Sequence, residues 1–173
     1  MIKNKITLII LLFGIFGIIS LSSCKHEDTI ADIDQQLYDM AKPTDGFTWY
    51  KNSSAPLEKS VGSGHAYPFL KTRYNSTASS QLDSIGKIMS DASFPEGSLV
   101  VKELLNSSNG IERYAILYKD SGNSSADANG WVWGYINADG SVAVSATEKG
   151  SSCISCHSQT GSIDYMLMNA YFP

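Results

Sequence analysis

Five consecutive residues, Cys153-Ile154-Ser155-Cys156-His157, carry the clearest chemistry in the 173-residue chain. Two cysteines separated by two residues and followed at once by a histidine form C-x-x-C-H, the attachment motif of c-type haem. The spacing lets both sulfurs reach the two vinyl groups of one porphyrin edge as thioethers, and it carries His157 beneath the iron as an axial ligand. One haem per chain is expected. Other uses of the pair fare worse. A redox dithiol belongs at a helix start inside a βαβ unit, where the attacking thiol's pKa falls, and no such unit surrounds Cys153. A zinc site needs a fourth ligand, and His26 and His65 have no metal-like spacing to the motif. A structural disulfide is open to the pair but leaves His157 unexplained.

The third cysteine, Cys24, sits in a different setting. Lys3 and Lys5 precede Ile6 to Ile19, where Thr7 is the only polar side chain; a run of about fourteen residues suits the apolar core of a secretory signal. A membrane-spanning helix prefers about 20. Leu21-Ser22-Ser23-Cys24 resembles the lipobox of bacterial lipoproteins, so residues 1–23 read as a signal peptide and Cys24 as the lipidated first residue of the mature chain. An uncleaved anchor with an incidental cysteine is the alternative, and it too exports the domain. Haem c is attached outside the cytoplasm, so export and the C-x-x-C-H motif point the same way. The expected location is an exported, membrane-anchored lipoprotein facing the periplasm or the cell surface; Lys25-His26-Glu27-Asp28 resembles a surface-export signal of some Gram-negative lipoproteins.

Charge and composition bound the partners. The chain has 13 Lys and Arg against 17 Asp and Glu, and loss of residues 1–23 removes two lysines, giving 11 − 17 = −6. With no basic run, nucleic acid is excluded as a partner. Adhesion to anionic lipid is equally disfavoured, so membrane attachment falls to acyl chains on Cys24. With 43% hydrophobic and 17% charged residues the chain is neither disordered nor fibrous, and one domain suffices for its length.

The elements that must position the motif follow from periodicity. Ile30, Ile33, Leu37 and Met40 recur at helical spacing, so residues 24–45 read as a tether with a short amphipathic helix, ended by Lys42-Pro43 and Asp45-Gly46. A second helix is expected from Ser76 to Met89, with Leu82, Ile85 and Met89 on one face and Gly86 weakening it. Strand texture then takes over. Phe94-Pro95-Glu96-Gly97 reads as a turn, followed by strands over Ser98 to Leu105, Ile111 to Lys119, Trp131 to Ile136 and Ser141 to Ser145, the last two joined by an Asn137-Ala138-Asp139-Gly140 hairpin. Alternation puts Trp131, Trp133 and Tyr135 on one sheet face that something must cover. The fold class is α+β: mainly antiparallel sheet, flanking helices and a C-terminal haem c site.

Position and order then suggest a family. His157 lies 173 − 157 = 16 residues from the last residue, and Met166 and Met168 follow too closely to cross easily to the opposite haem face. The segment His65 to Asn75 resembles the early His-to-Arg-Tyr-Asn segment of the cytochrome P-460 and cytochrome c-prime-beta family. Phe94 to Glu103 is similar to its turn and following strand, Trp131 to Gly140 to its aromatic strand and hairpin, and Cys153 to Tyr165 to its haem-binding end. The resemblance covers most of residues 46–173, taken as the haem domain. It implies a homodimer with one pentacoordinate haem. Its P-460 branch oxidises hydroxylamine with a lysine-crosslinked haem, and its c-prime-beta branch binds nitric oxide.

Remaining residues divide by strand face. Alternation sets Ser98, Val100 and Lys102 against Leu99, Val101 and Glu103, which makes Lys102 the candidate for a haem cross-link, the alternative being a stem laid over the sheet with its ammonium in water. Glu103 could act as acid or base only if its face meets haem, and Glu96 sits in the turn. Arg73 is a candidate for a haem propionate or for a surface ion pair. His65, in a Gly-Ser-Gly loop, reads as a surface or structural histidine ahead of a distal ligand or proton relay. Two functions remain: a haem protein with an open distal site that binds or oxidises hydroxylamine or nitric oxide, and a membrane-tethered electron-transfer cytochrome with both axial positions filled and an unspecified redox partner.

Overall fold

A computed structural model describes residues 30–173; the signal-peptide and Cys24 expectations fall outside the described residues. Seven antiparallel strands form one sheet, in the order β1-β3-β4-β5-β6-β7 with β2 also paired to β3. They are β1 (Thr48–Trp49), β2 (Leu57–Glu58), β3 (Phe69–Tyr74), β4 (Leu99–Leu105), β5 (Ile111–Lys119), β6 (Trp131–Asn137) and β7 (Val142–Val144). The fold is α+β, and the four strands read from alternation are β4 to β7. The sheet extends past them through β3, whose sequence Phe-Leu-Lys-Thr-Arg-Tyr hides its alternation because two cations occupy one face.

From β3 to β7 the strands form a meander whose register lines up one row of residues across the sheet. Lys102 pairs with Thr72 on one side and Ala115 on the other, Ala115 pairs with Tyr135, and Tyr135 with Val144. Side chains in one row share a face. On this face Leu70, Tyr74, Val100, Leu104, Leu117, Trp131 and Trp133 form one apolar cluster with Phe94, Met166 and Met168. The aromatic face anticipated for Trp131, Trp133 and Tyr135 is therefore covered by the C-terminal segment.

The opposite face is closed by α1 (Ile30–Ala41). Leu37 and Ala41 are fully buried against Val101, Ile116, Val132 and Ile136. The helix forms where the periodicity places it, and its apolar stripe spends itself on the sheet, so residues 30–41 do not behave as a free tether. Asp34 pins it further, accepting from the Ala146 backbone N–H at 2.8 Å and from the Ser145 hydroxyl at 2.7 Å. Gly134 admits the contact: a Cβ there would lie 2.8 Å from Leu37 Cδ1.

The helix expected over Ser76–Met89 shrinks to a single turn, α2 (Ser76–Ser79). Asn75 caps it, its Oδ1 accepting from the Ala78 N–H at 2.8 Å. Beyond it Gly86 takes φ +75°, Asp83 Oδ1 accepts from the backbone N–H groups of Ile85 and Lys87 at 3.0 and 2.9 Å, and Leu82 bridges to Ile88. A side chain that bonds local backbone competes with the helix ladder. Ile85, assigned to the buried stripe, is consequently 60% exposed. Two short helices complete the chain, α3 (Ile154–His157) and α4 (Met168–Tyr171). Among the described residues no helix is long and apolar enough to cross a membrane.

Candidate functional site

A cavity of about 240 Å³ lies between the Lys102 face of the sheet and the C-terminal segment. Val100, Thr72, Leu117 and Trp133 form its floor. Cys153, Cys156, His157, Met166 and Met168 form the opposite wall, and the loop Ser63-Gly64-His65 closes one side. The cavity exists because the row across the sheet has a small residue, Ala115, between the long side chains of Lys102 and Tyr135.

The wall is built on a sequence of tight turns. Gly150, at φ +68°, rests on the Trp133 indole, where a Cβ would approach ring atoms to 2.7 Å. This close approach brings the following Cys153-to-His157 segment onto the sheet. Both thiols are free, Cys153 partly covered and Cys156 exposed. His157 packs edge-on to Trp133, with ring centres 5.3 Å apart. Its Nδ1 lies 2.7 Å from the Tyr165 carbonyl oxygen, and since a carbonyl only accepts, Nδ1 carries the hydrogen and Nε2 keeps its lone pair. That tautomer is the one a metal-ligating histidine requires.

The carbonyl is aimed by strained backbone. Asp164 and Tyr165 both take positive φ, +43° and +70°, a conformation costing non-glycine residues of order 1 kcal/mol or more each. Asp164 compensates: its Oδ1 accepts from the Trp131 indole N–H and its Oδ2 from the Phe94 N–H, both at 2.9 Å. Burial pushes the His157 pKa down to about 4, and Lys102 adds to the shift, so the ring is neutral at physiological pH.

Lys102 projects into the cavity as the alternation predicts. Burial lowers its pKa to about 8. Its Nζ lies 3.5 Å from Nε2 of His65, and an ammonium has only donors, so Nε2 is the acceptor. Nδ1 of His65 then holds the hydrogen and faces the Tyr135 hydroxyl at 3.4 Å. Burial, with Lys102, His157 and Lys59 adding to it, pushes the His65 pKa down to about 3. His65 is thus a partly buried, hydrogen-bonded cavity residue: of the surface and structural readings its loop suggested, the surface one does not hold. Tyr135 turns from a core aromatic into the residue that holds His65.

The other sequence candidates lie elsewhere. Arg73 faces away from the cavity, fully buried, bonded to Glu103 and to the Ala41 carbonyl, so neither the propionate nor the surface role holds. Glu103 shares that far face, with Lys71 Nζ at 2.8 Å, and has no route to acid–base work in the cavity. Glu96 bonds Ser121 at the surface. Among the described residues no three His, Cys, Asp or Glu side chains converge to cage a bare metal ion. The residues fit haem instead: two free thiols beside one imidazole with the correct nitrogen exposed, apolar walls, and a polar end at Lys102 and His65.

Residues 72–168 match the family model described as Cytochrome P460, a span of more than half the chain that runs from β3 to the start of α4. No curated protein matches the chain.

Proposed function

The chain belongs to the cytochrome P460 family, whose members imply a haem cofactor, and from that premise we propose a mono-haem c-type protein that binds or oxidises small nitrogen compounds such as hydroxylamine or nitric oxide. Cys153 and Cys156 would hold the group through thioethers, and His157 would ligate its iron through Nε2. Bound there, haem supplies a metal that exchanges electrons and takes a small ligand. The observation that carries the reading is convergence: both thiols, the oriented imidazole, Lys102 and His65 all line one apolar cavity.

The chain's own residues then divide the work. Val100, Leu117, Trp133, Met166 and Met168 exclude bulk water, which strengthens every polar interaction inside. Lys102 and His65 are the donor and acceptor a small nitrogen compound would meet. Lys102 is also our candidate for the haem cross-link: joining Nζ to a porphyrin edge carbon replaces one N–H and one C–H bond by N–C, a two-electron, two-proton loss to an oxidant of the peroxide class. Its lowered pKa supports this, because the uncharged amine is the nucleophile.

After expression with a haem c maturation system, haem is expected to survive denaturing electrophoresis and to vanish in Cys153→Ala/Cys156→Ala. Undiminished covalent haem in that double variant would sink the assignment. Peptide mass spectrometry is expected to join the peptide bearing Lys102 to the one bearing Cys153 and Cys156. Thioethers alone would assign the protein to ligand binding or electron transfer. The electron-transfer reading has one observation in its favour: a second histidine, His65, facing His157. Export on a lipidated Cys24, the membrane anchor and a homodimer belong to the same proposal; a Cys24→Ala variant that still partitions with membranes would remove the anchor from it.

A further inference from the structure

The imidazole assigned to the iron is held by a turn whose own residues do not favour it. Ile163 and Met166 exchange both backbone hydrogen bonds, at 2.9 and 2.8 Å, so Asp164 and Tyr165 are the two central residues of a tight reversal. Both have positive φ, +43° and +70°, the pair of signs that a type I′ turn takes and that Asn-Gly or Asp-Gly adopts without strain. Tyrosine stands where glycine would be at ease. The reversal occupies the backbone groups of Ile163 and Met166, which leaves the Tyr165 carbonyl free, and its oxygen lies 2.7 Å from Nδ1 of His157. Side chains supply what the missing glycine does not. The Asp164 carboxylate accepts the Trp131 indole N–H on Oδ1 and the Phe94 N–H on Oδ2, both at 2.9 Å, with Lys119 Nζ 4.0 Å from Oδ1. Both anchors are fixed: Trp131 is fully buried on β6, and the buried Phe94 ring lies against those of Tyr74 and Trp131. The Tyr165 ring packs edge-on to Trp133 at 5.2 Å, and its hydroxyl accepts from Asn129 Nδ2.

We propose that Asp164, which stands outside the cavity, is a positioning residue for the iron ligand: it locks the 163–166 reversal so that the Tyr165 carbonyl draws on the Nδ1–H of His157, and thereby sets the electron donation of Nε2 and the reduction potential of the haem. This rests on the haem reading above and adds to it what fixes the ligand's strength. A carbonyl on Nδ1–H gives the ring part of the character of its anion, which raises the basicity of Nε2 and favours ferric over ferrous iron. A carboxylate bonded directly to the ring would place a full charge there. Here the carboxylate is engaged by Trp131 and Phe94, and only the neutral carbonyl reaches His157. Trp131 belongs to β6 and Phe94 to the segment ahead of β4, so the ligand's orientation is tied to the sheet and not to its own short helix, α3. Relief of the strain at two non-glycine residues would release that carbonyl, which gives the anchoring carboxylate its function.

The test uses the full chain loaded with haem c, with haem content and far-ultraviolet circular dichroism measured for every variant. Asp164→Ala is expected to lower the iron–histidine stretching frequency in ferrous resonance Raman spectra and to raise the ferrous-to-ferric ratio at a fixed applied potential by about tenfold. Asp164→Asn keeps one acceptor and is expected to shift both readouts less, in the same directions; it decides the matter if Asp164→Ala does not hold haem. Asp164→Asn/Tyr165→Gly favours the same turn without a carboxylate and is expected to return both readouts to wild-type values. Leu37→Ala, which loosens the opposite face of the sheet, is expected to leave them unchanged. Unaltered readouts in folded, haem-replete Asp164 variants overturn the proposal and leave the haem reading intact. So do readouts that stay shifted in the double variant, since the carboxylate would then act by its charge, and an equal shift in Leu37→Ala, since any loosening would then suffice. A wild type without covalent haem overturns both readings.

Discussion

Lys102 and Glu103 are neighbours on β4, yet the pleat sends them to opposite faces, and the two faces treat buried charge in opposite ways. Glu103 is met by Arg73 and by Lys71 at 2.8 Å, and Arg73 is bonded in turn to the Ala41 carbonyl and stacked 5.0 Å from the Phe47 ring centre. Among the described residues Lys102 has the imidazole of His65 at 3.5 Å and no carboxylate partner. One face therefore neutralises its charge and is closed by α1; the other keeps an unneutralised amine beside a cavity. A fold that can pair a buried ion on one side of a strand, and does not on the other, has left that group available for chemistry.

The strongest way to break the comparison is Glu103→Ala. It leaves Arg73 buried without its carboxylate, and losing one member of a buried ion pair costs about 3–5 kcal/mol; chemical denaturation should show that loss, with part of it recovered in Arg73→Ala/Glu103→Ala. A fall below about 1 kcal/mol in the single variant would mean that the far face is not held by charge. Next in size is Leu37→Ala. A fully buried leucine truncated to alanine costs about 2–5 kcal/mol, and the same measurement on a chain starting at Gly46 should show a larger loss still, because all of α1 has gone.

Lys102→Met should lie at the other extreme. It removes a desolvated cation and keeps the volume, so stability is expected to stay within about 1 kcal/mol of wild type or to rise, while the cross-linked peptide disappears. The smallest effect is a slope. In the thioether-free Cys153→Ala/Cys156→Ala background, Lys102 has a folded pKa near 8, below its free value of 10.5. Between those values the unfolded chain binds more protons than the folded one, so stability rises with pH. The excess stability of Lys102→Met in thermal melts should hold steady below about pH 8 and shrink toward pH 10.5. A constant difference would mean that the amine is not desolvated.

The same two faces explain what the sequence made legible. Strands β4 to β6 were readable because β-formers alternate between punctuating turns, and Lys102 was assigned to the right face by parity alone. β3 was missed because its far-face residues, Lys71 and Arg73, are cations that make sense only beside Glu103, thirty-odd positions on. The helix over Ser76–Met89 failed because Asp83 and Gly86 build a turn where periodicity reads a stripe. Cys153, Cys156 and His157 were legible as a motif since their spacing is itself the chemistry. His65 was not, because its role depends on where a loop comes to rest against Tyr135 and Lys102, and no local pattern records that. The part played by α1 was half visible: its stripe marked a helix, but only Gly134 and the Asp34 bonds say what it covers.

The meander also sets an order in time. From β4 to β7 every strand bonds to the one made just before it across a short link, so this part of the sheet needs only short loop closures and should assemble early. The wall bearing Cys153, Cys156 and His157 comes later in the chain. Until Met166 to Met168 dock, Val100, Leu117 and Trp133 remain wetted on one side, and the cavity lacks the wall opposite them. In stopped-flow refolding of a Trp49→Phe/Trp131→Phe variant the far-ultraviolet sheet signal should therefore precede the fluorescence change of Trp133, the remaining tryptophan, and the interval between them is the period in which haem can be admitted.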